Sequence, residues 1–379
     1  MTTLYYFDFV GTYGGAQQST VALLNKIHKE HSHVLNVNVL AVEGTDKNFI
    51  KNIEAPIHTV KIKNNLNVFK VGKKYLSASM YFVDCFYKIN KMIKINSKNN
   101  DNIILCNSPK ALYVLSLLKI FNLNYRIYFY SRGNGSANSF NVITKFFLNF
   151  FVTDIFCVSS QTKKNMTKFI IKKRKLHVTH TSVDFEKLKD FHSQKIIDFN
   201  NVKILFAGAL IPMKGLKLLL EGISHLPSNY QEKIEIFIAG GLEPSEVQDY
   251  IRECKLICTN IKSNIHWLGW VDNIPQLLSE VDIVCLPSYS EGLPRIVQEG
   301  MYMEKLIIAT PVGGVPSLIK DEYNGYLIDI GSSESIKKCL ISIFNNPKIE
   351  SMKKNAHLYV KEKFNMNDQT NLIVSLITE

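Results

Sequence analysis

The chain has 379 residues, 46% hydrophobic and 21% charged, and its 45 Lys/Arg against 33 Asp/Glu give a formal net charge of +12. This is the composition of a globular protein too long for one ordinary core, so two domains of roughly 150–200 residues each are predicted. No apolar run reaches the ~18 residues that span a bilayer; the two longest, ALYVLSLLKIF and FFLNFFVTDIFCV, carry Lys119 and Asp154 and read as core.

The opening MTTLYYFDFV lacks a basic n-region followed by an apolar h-region, so a cytosolic chain is expected. Seven scattered cysteines, mostly inside apolar runs, read as reduced core thiols. Cys254 and Cys258 have no histidine or further cysteine beside them and read as helix packing, not as a metal site.

The charge is uneven. Residues 1–190 hold 27 Lys/Arg against 11 Asp/Glu, and residues 191–379 hold 18 against 22. Within the basic half, residues 61–98 combine nine lysines and one acid, Asp84, with Phe69, Tyr75, Met80, Tyr81, Phe82, Phe86 and Tyr87. Two readings stand: a solvated helical face, or a surface resting on anionic lipid headgroups, where each lysine contributes about 1 kcal/mol. No nucleic-acid partner is expected, because no helix-turn-helix, zinc-finger or RNP-like pattern accompanies the charge.

In chain order, TLYYFDFV (3–10) reads as a short strand, GTYGGAQQ as a loop and STVALLNKIHKE as a helix. Further strands are predicted at 34–42, 102–107, 125–130 and 154–159, with helical stretches between several of them. The charged segment DFEKLKDFHSQKIIDFN (184–200) interrupts this alternation, which then restarts. Strands are predicted at 202–210, 233–241, 264–271, 282–288 and 305–310, and helices at 215–226, 243–254, 274–281 and 295–303. Such alternation predicts an α/β fold with two Rossmann-like domains facing across a cleft. The expected divisions are an N-terminal domain over 1–185, a linker over 186–200, a C-terminal domain over 201–355, and a helix over 356–379 that packs back on the first domain.

Ligands of open α/β sheets bind beyond the carboxyl ends of the strands, so the informative residues should stand in the loops there. In SEGLPRIVQE, Glu291 follows the strand 282–288, Pro294 suits a first helical turn, and the amides from Gly292 onward make a helix-start anion site. Each of Glu291 and Glu299 can accept hydrogen bonds from a diol while the helix start takes a phosphate between them, which is the outline of a nucleotide sugar. Taken alone, the stretch is equally compatible with a glutamate favouring its own helix dipole and a second one in solvent.

The run DIVCLPSYSEGLPRIVQEGMYMEKLIIATPVGGVPSLIKDEYNGYLID closely resembles the signature region of the retaining glycosyltransferases of family 4, which have the two-domain GT-B fold. The shared features are Pro287-Ser288, the Glu-x7-Glu pair Glu291 and Glu299, the turn Gly313-Gly314-Val315-Pro316 and the hairpin Asn324-Gly325-Tyr326-Leu327. The resemblance extends to ILFAGALIPMKGLKLLLEGI, IFIAGG and IHWLGWVDN, and more loosely to GTYGGAQQS and DIFCVSSQTKKNM.

The resemblance implies that Glu291 contacts donor-sugar hydroxyls, Glu299 the ribose, and the amides of Gly292, Leu293, Pro294's neighbour Arg295 the sugar and pyrophosphate. Lys214 would neutralise the leaving diphosphate, beside Gly208. Gly240, Gly241 and the loop through Trp270 and Val271 would hold base and ribose, and Gly14 and Gly15 would close on the diphosphate. Two positions depart from the family pattern. Ala209 stands where an arginine is common, and SRGNG stands where many members carry a histidine, leaving Arg132 to face donor phosphate or acceptor, or to be an ordinary loop residue.

The implied activity is retaining transfer of a hexose or N-acetylhexosamine, with a UDP-sugar favoured as donor. The acceptor would be a glycan or a polyprenyl-diphosphate-linked oligosaccharide of a bacterial surface polysaccharide, such as O-antigen or capsule, and residues 61–98 would make peripheral contact with the inner face of the membrane. No cofactor and no metal are expected, since no Asp-x-Asp motif stands near a strand end. A nucleotide-sugar-binding scaffold and a GT-B-fold sugar-nucleotide epimerase are the alternatives.

Overall fold

The computed structural model describes all residues except Met1, Thr12, 62–74, 97–101, 122–124, 193–194 and 242–247; for 75–82, 96 and 174 it describes the backbone alone. Two compact units divide the chain: Met1–Thr181 with Asn367–Glu379, and Ser182–Met366.

The first unit is built on a sheet of seven parallel strands: β1 (Thr2–Phe7), β2 (Leu35–Val42), β3 (Ile57–Val60), β4 (Asn102–Cys106), β5 (Tyr125–Ser131), β6 (Asp154–Cys157) and β7 (Leu176–Val178). Their order is β3-β2-β1-β4-β5-β6-β7, so the direction of winding reverses between β1 and β4. The strands are continuously apolar because helices cover both faces; β4 (NIILC) is buried at every position. The core runs from Tyr5 and Phe7 through Ile104, Leu112, Leu115, Ile127 and Phe129 to Ile155 and Cys157. The closing helix Met366–Thr378 packs on this unit, where the backbone amide of His180 donates to Gln369 at 2.8 Å.

The second unit repeats the plan with six parallel strands: β8 (Val202–Ala207), β9 (Ile234–Ala239), β10 (Asn264–Gly269), β11 (Ile283–Leu286), β12 (Leu306–Ala309) and β13 (Tyr326–Leu327). The order β10-β9-β8-β11-β12-β13 reverses between β8 and β11. Both sheets therefore carry the doubly wound order, with one switch point each. The two Rossmann-like α/β units predicted by the alternation are present.

Several expectations are corrected. Residues Asn324–Leu327 do not form a hairpin: Tyr326–Leu327 pairs in parallel with Ile308–Ala309 as the edge of the sheet. The two long apolar runs are only partly core. Leu112, Leu115, Leu148 and Phe156 are buried, but Phe121, Phe146 and Phe150 are exposed. Much of the 61–98 stretch lies outside the described residues; its described part belongs to the helix Tyr75–Asn96, on which Tyr87 and Ile95 stand in solvent. Among the described residues no helix is long and apolar enough to cross a membrane.

Candidate active site

In the second unit, β8 and β11 flank the switch point, and the loops leaving their carboxyl ends bring Lys214 and Glu291 together. Lys214 ends the one-turn 3-10 helix Pro212–Lys214, where Pro212 at the first position presets the turn. Gly215 follows at φ 74°, and a β-carbon there would lie 2.1 Å from the carbonyl oxygen of Pro287. Only glycine lets the Lys214 turn close onto the end of β11. A second clasp, from the amide of Tyr289 to the carbonyl of Met213 at 2.9 Å, ties the same two loops.

The result is an ion pair of 2.7 Å between Lys214 Nζ and Glu291 Oε1. The Glu291 side chain is 8% exposed and that of Lys214 26% exposed, so the carboxylate is held from behind while water reaches the ammonium. Ser288 Oγ donates to the same carboxylate oxygen at 2.7 Å, and Thr310, after β12, donates its hydroxyl to the Ser288 carbonyl. The stem of Lys214 runs past Gly208, whose built β-carbon position is 3.9 Å from Lys214 Cδ. Behind Glu291, Gly313 sits at φ 54°, where a β-carbon would come within 1.8 Å of the Glu291 carbonyl oxygen.

The predicted helix is Arg295–Tyr302, with Pro294 as N-cap and no side chain capping its first amides. Leu293 turns its side chain into the core. Gly292 accepts from the amide of Gly314 at its carbonyl. Arg295 Nη2 pairs with Glu299 Oε1 at 2.8 Å one turn further on, so Glu299 is a partnered, buried carboxylate. At the ends of β9 and β10, Gly240 is required by strand packing, since a β-carbon would lie 2.1 Å from the carbonyl oxygen of Gly208. Gly241 instead leaves room for Trp270, whose ring carbon Cε3 stands 3.5 Å from the built β-carbon position. The indole is exposed and donates to Asp272 at 2.7 Å, forming with the neighbouring Val271 a ledge at the carboxyl edge of the sheet.

The switch point of the first unit has different chemistry. Gly14 caps the long helix Gly15–Glu30, its amide donating to Gln17 Oε1 at 3.2 Å. Among the described residues, only that glutamine lies within 4 Å of a β-carbon at Gly14. Arg132, at the end of β5, lays its guanidinium 4.2 Å over the Tyr130 ring and reaches Thr181 Oγ1 at 3.4 Å. The SRGNG loop that carries it is clamped by the helix Ser160–Met166, with Thr162 donating to the Gly133 carbonyl at 2.9 Å and Asn165 to that of Asn134 at 2.8 Å.

Sequence reasoning missed Asp8 here. It follows β1, is buried, and receives the Ser108 hydroxyl, the Phe9 amide at 2.8 Å and the Tyr6 hydroxyl at 3.3 Å. Burial raises its pKa, which these hydrogen bonds and the nearby positive charge of Arg132 oppose. A lone acid inside the apolar run YYFDFV was the available signal.

The chain thus carries two doubly wound Rossmann-like sheets, one with a lysine-glutamate pair and a helix start without a capping side chain at its switch point. Residues 189–359, within the second unit and the segment before β8, match the family described as Glycosyl transferases group 1. The whole chain has the fold of Anabaena HepE in complex with UDP-glucose, with a TM-score of 0.80 at 18% identity over 100% of this chain and 99% of that one. Sucrose-phosphate synthase from Thermosynechococcus elongatus follows the same fold at a TM-score of 0.77 and 15% identity, over 99% and 98% of the two chains. Among curated relatives, an Escherichia coli UDP-Gal:alpha-D-GlcNAc-diphosphoundecaprenol alpha-1,3-galactosyltransferase is 24% identical over 59% of each chain. A Campylobacter jejuni alpha-1,4-N-acetyl-D-galactosaminyltransferase, which acts on a diNAcBac-PP-undecaprenol-linked glycan, is 31% identical over 38% of each chain. The chain spans about half the length of the first curated relatives it matches.

Proposed function

We propose that this protein is a retaining glycosyltransferase that moves a hexose or N-acetylhexosamine from a UDP-sugar to a polyprenyl-diphosphate-linked glycan at the inner face of a bacterial membrane, in surface-polysaccharide assembly. The observation that carries the reading is the Lys214–Glu291 pair at the switch point of the family domain. As the bond from the anomeric carbon to the diphosphate breaks, negative charge grows on the departing oxygen. Lys214 and the amides at the start of Arg295–Tyr302 are the fixed positive groups for it. Glu291, already oriented by Ser288, accepts hydrogen bonds from sugar hydroxyls when the diphosphate draws Lys214 away. The acceptor hydroxyl attacks from the face the diphosphate leaves and gives its proton to a departing phosphate oxygen. Alpha linkages in the names of both relatives agree with retention from an alpha-configured donor. With no arginine at Ala209, Lys214 bears most of the charge.

A lipid-linked acceptor has further support in the first unit. Its helices Tyr75–Asn96, Pro109–Phe121 and Val142–Phe150 pack side by side. Their outer faces expose Val83, Tyr87, Ile95, Phe121, Val142 and Phe150, each more than half accessible. Residues 102–183 hold twelve Lys/Arg against one acid, Asp154. Apolar side chains ringed by lysines suit an anionic membrane surface.

The test is a thermal-shift panel of UDP-, GDP- and dTDP-sugars, followed by nucleoside-diphosphate release with a polyprenyl-linked acceptor. A UDP-sugar should raise Tm as its concentration passes Kd and turn over only with acceptor present. If no nucleotide sugar shifts Tm, the reading fails; binding without turnover would assign a scaffold instead.

A further inference from the structure

The geometry points to a zinc(II) site in the second unit, away from the Lys214–Glu291 pair, formed by His192, Glu304 and His357. The three residues come from separate segments. His192 follows the 3-10 helix Phe185–Phe191, Glu304 follows Arg295–Tyr302, and His357 lies within the helix Ile349–Lys363. One donor atom from each lies within 4.8 Å of the other two.

The His192–Glu304 spacing separates this cluster from ordinary histidine–carboxylate contacts. His177 meets Asp154 at 3.0 Å and His266 meets Glu235 at 2.7 Å, both hydrogen bonds. His192 Nε2 instead stands 3.4 Å from Glu304 Oε1, a longer contact than either. Two ligands of a tetrahedral zinc, each about 2.0–2.2 Å from the metal, stand roughly 3.4 Å apart.

The surroundings fit as well. His357 Nδ1 contacts the carbonyl of Tyr302 at 2.5 Å, which makes Nδ1 the donor and leaves Nε2 as the ring's lone-pair atom. Metal-binding histidines are commonly fixed by such a bond. Glu304 occupies a left-handed position, φ 52°, at a helix end where glycine or asparagine is usual, so a charged side chain is retained at conformational cost. The rings of Phe185 and Tyr302 stack at 4.5 Å beside the cluster, and that of Tyr302 lies 5.0 Å from His357. The next residue, Lys305, acts electrostatically on Glu304 and disfavours a cation held by charge alone. Two imidazoles and one carboxylate therefore select zinc over magnesium or calcium, which need several oxygens. Bound there, zinc would staple the segment before β8 to the helix Ile349–Lys363 and leave one coordination position for water.

Zinc content and cobalt(II) spectroscopy on the full, untagged chain test the site. One zinc per chain should survive desalting, and its removal by a chelator should lower Tm. Cobalt(II) titrated into the metal-free protein should give visible d–d bands of a four-coordinate site, saturating at one equivalent. His192→Gln and His357→Gln should each weaken zinc binding by about 10- to 100-fold or more, and His177→Gln should not. His192→Gln is the decisive variant, because glutamine can keep a polar contact with Glu304 without supplying an imidazole ligand. Absence of stoichiometric zinc, or zinc affinity unchanged in His192→Gln, overturns the proposal whatever the outcome for nucleotide sugars.

Discussion

Replacing Lys214 by alanine separates what the ion pair does for the fold from what it does for turnover. At 2.7 Å and an effective dielectric near 20, the gross attraction is about 6 kcal/mol, most of which desolvation of the carboxylate offsets. Because water reaches the lysine but hardly reaches Glu291, Lys214→Ala leaves a charge with only the Ser288 hydroxyl as partner. That should lower unfolding free energy by about 1–3 kcal/mol. Glu291→Gln removes the charge but keeps an acceptor for Ser288, and should cost about 1 kcal/mol or less. The double variant should then be less destabilised than the two single effects added together. In turnover, losing the leaving-group cation should reduce kcat by about 10²–10³. Urea unfolding and nucleoside-diphosphate release measure the two quantities on the same samples. Strict additivity in unfolding would show that the pair is not an energetic unit, and a kcat within tenfold of wild type for Lys214→Ala would refute its role in departure of the diphosphate.

Gly313→Ala should destabilise by more than about 2 kcal/mol in urea, since it combines left-handed backbone strain with a β-carbon 1.8 Å from the Glu291 carbonyl oxygen. Gly11→Ala, with nothing among the described residues within 4 Å, should stay within about 0.5 kcal/mol of wild type. Burial lowers the Lys305 pKa from 10.5 to about 8, so above pH 8 the unfolded chain holds a proton that the native one has released. Unfolding free energy should therefore rise from pH 8 to about 9.5, by at most ~1.4 kcal/mol per unit and less where water screens the group, and Lys305→Met should flatten that slope. Ile143→Ser with Phe146→Ser, at positions 58% and 50% exposed, should weaken binding to phosphatidylglycerol vesicles about 10- to 100-fold with Tm unchanged; equal vesicle binding would remove this face from the membrane contact.

The alternation of strand and helix was enough to place Glu291 and Lys214 at strand ends, because both follow an uninterrupted apolar run and a turn. Their meeting was not legible from periodicity, since 77 positions separate them and only the reversal of strand order between β8 and β11 brings them together. The edge strands β3, β7 and β13 run four, three and two residues, too short for an alternating pattern, and pairing alone defines them. FFLNFFV looked like core because a continuous apolar run carries no sidedness. The helix Val142–Phe150 buries Leu148 while exposing Phe146 and Phe150, and only its neighbours decide which. His192, Glu304 and His357 have no motif spacing, so no sequence pattern could have joined them.

The same topology does two different things at its two switch points. In the second unit an anion-seeking arrangement is prepared: a lysine, a helix start without a capping side chain, and a carboxylate that holds the lysine in place. In the first unit the corresponding position carries Asp8, buried and held by Ser108, Tyr6 and the Phe9 amide. A carboxylate kept out of water has its pKa raised by burial, which these hydrogen bonds oppose. Its place beyond β1, within the electrostatic reach of Arg132, suits a hydrogen-bond acceptor for a hydroxyl rather than a partner for phosphate. The second unit's switch point thus presents a lysine and open helix amides, and the first unit's a buried, hydrogen-bonded carboxylate.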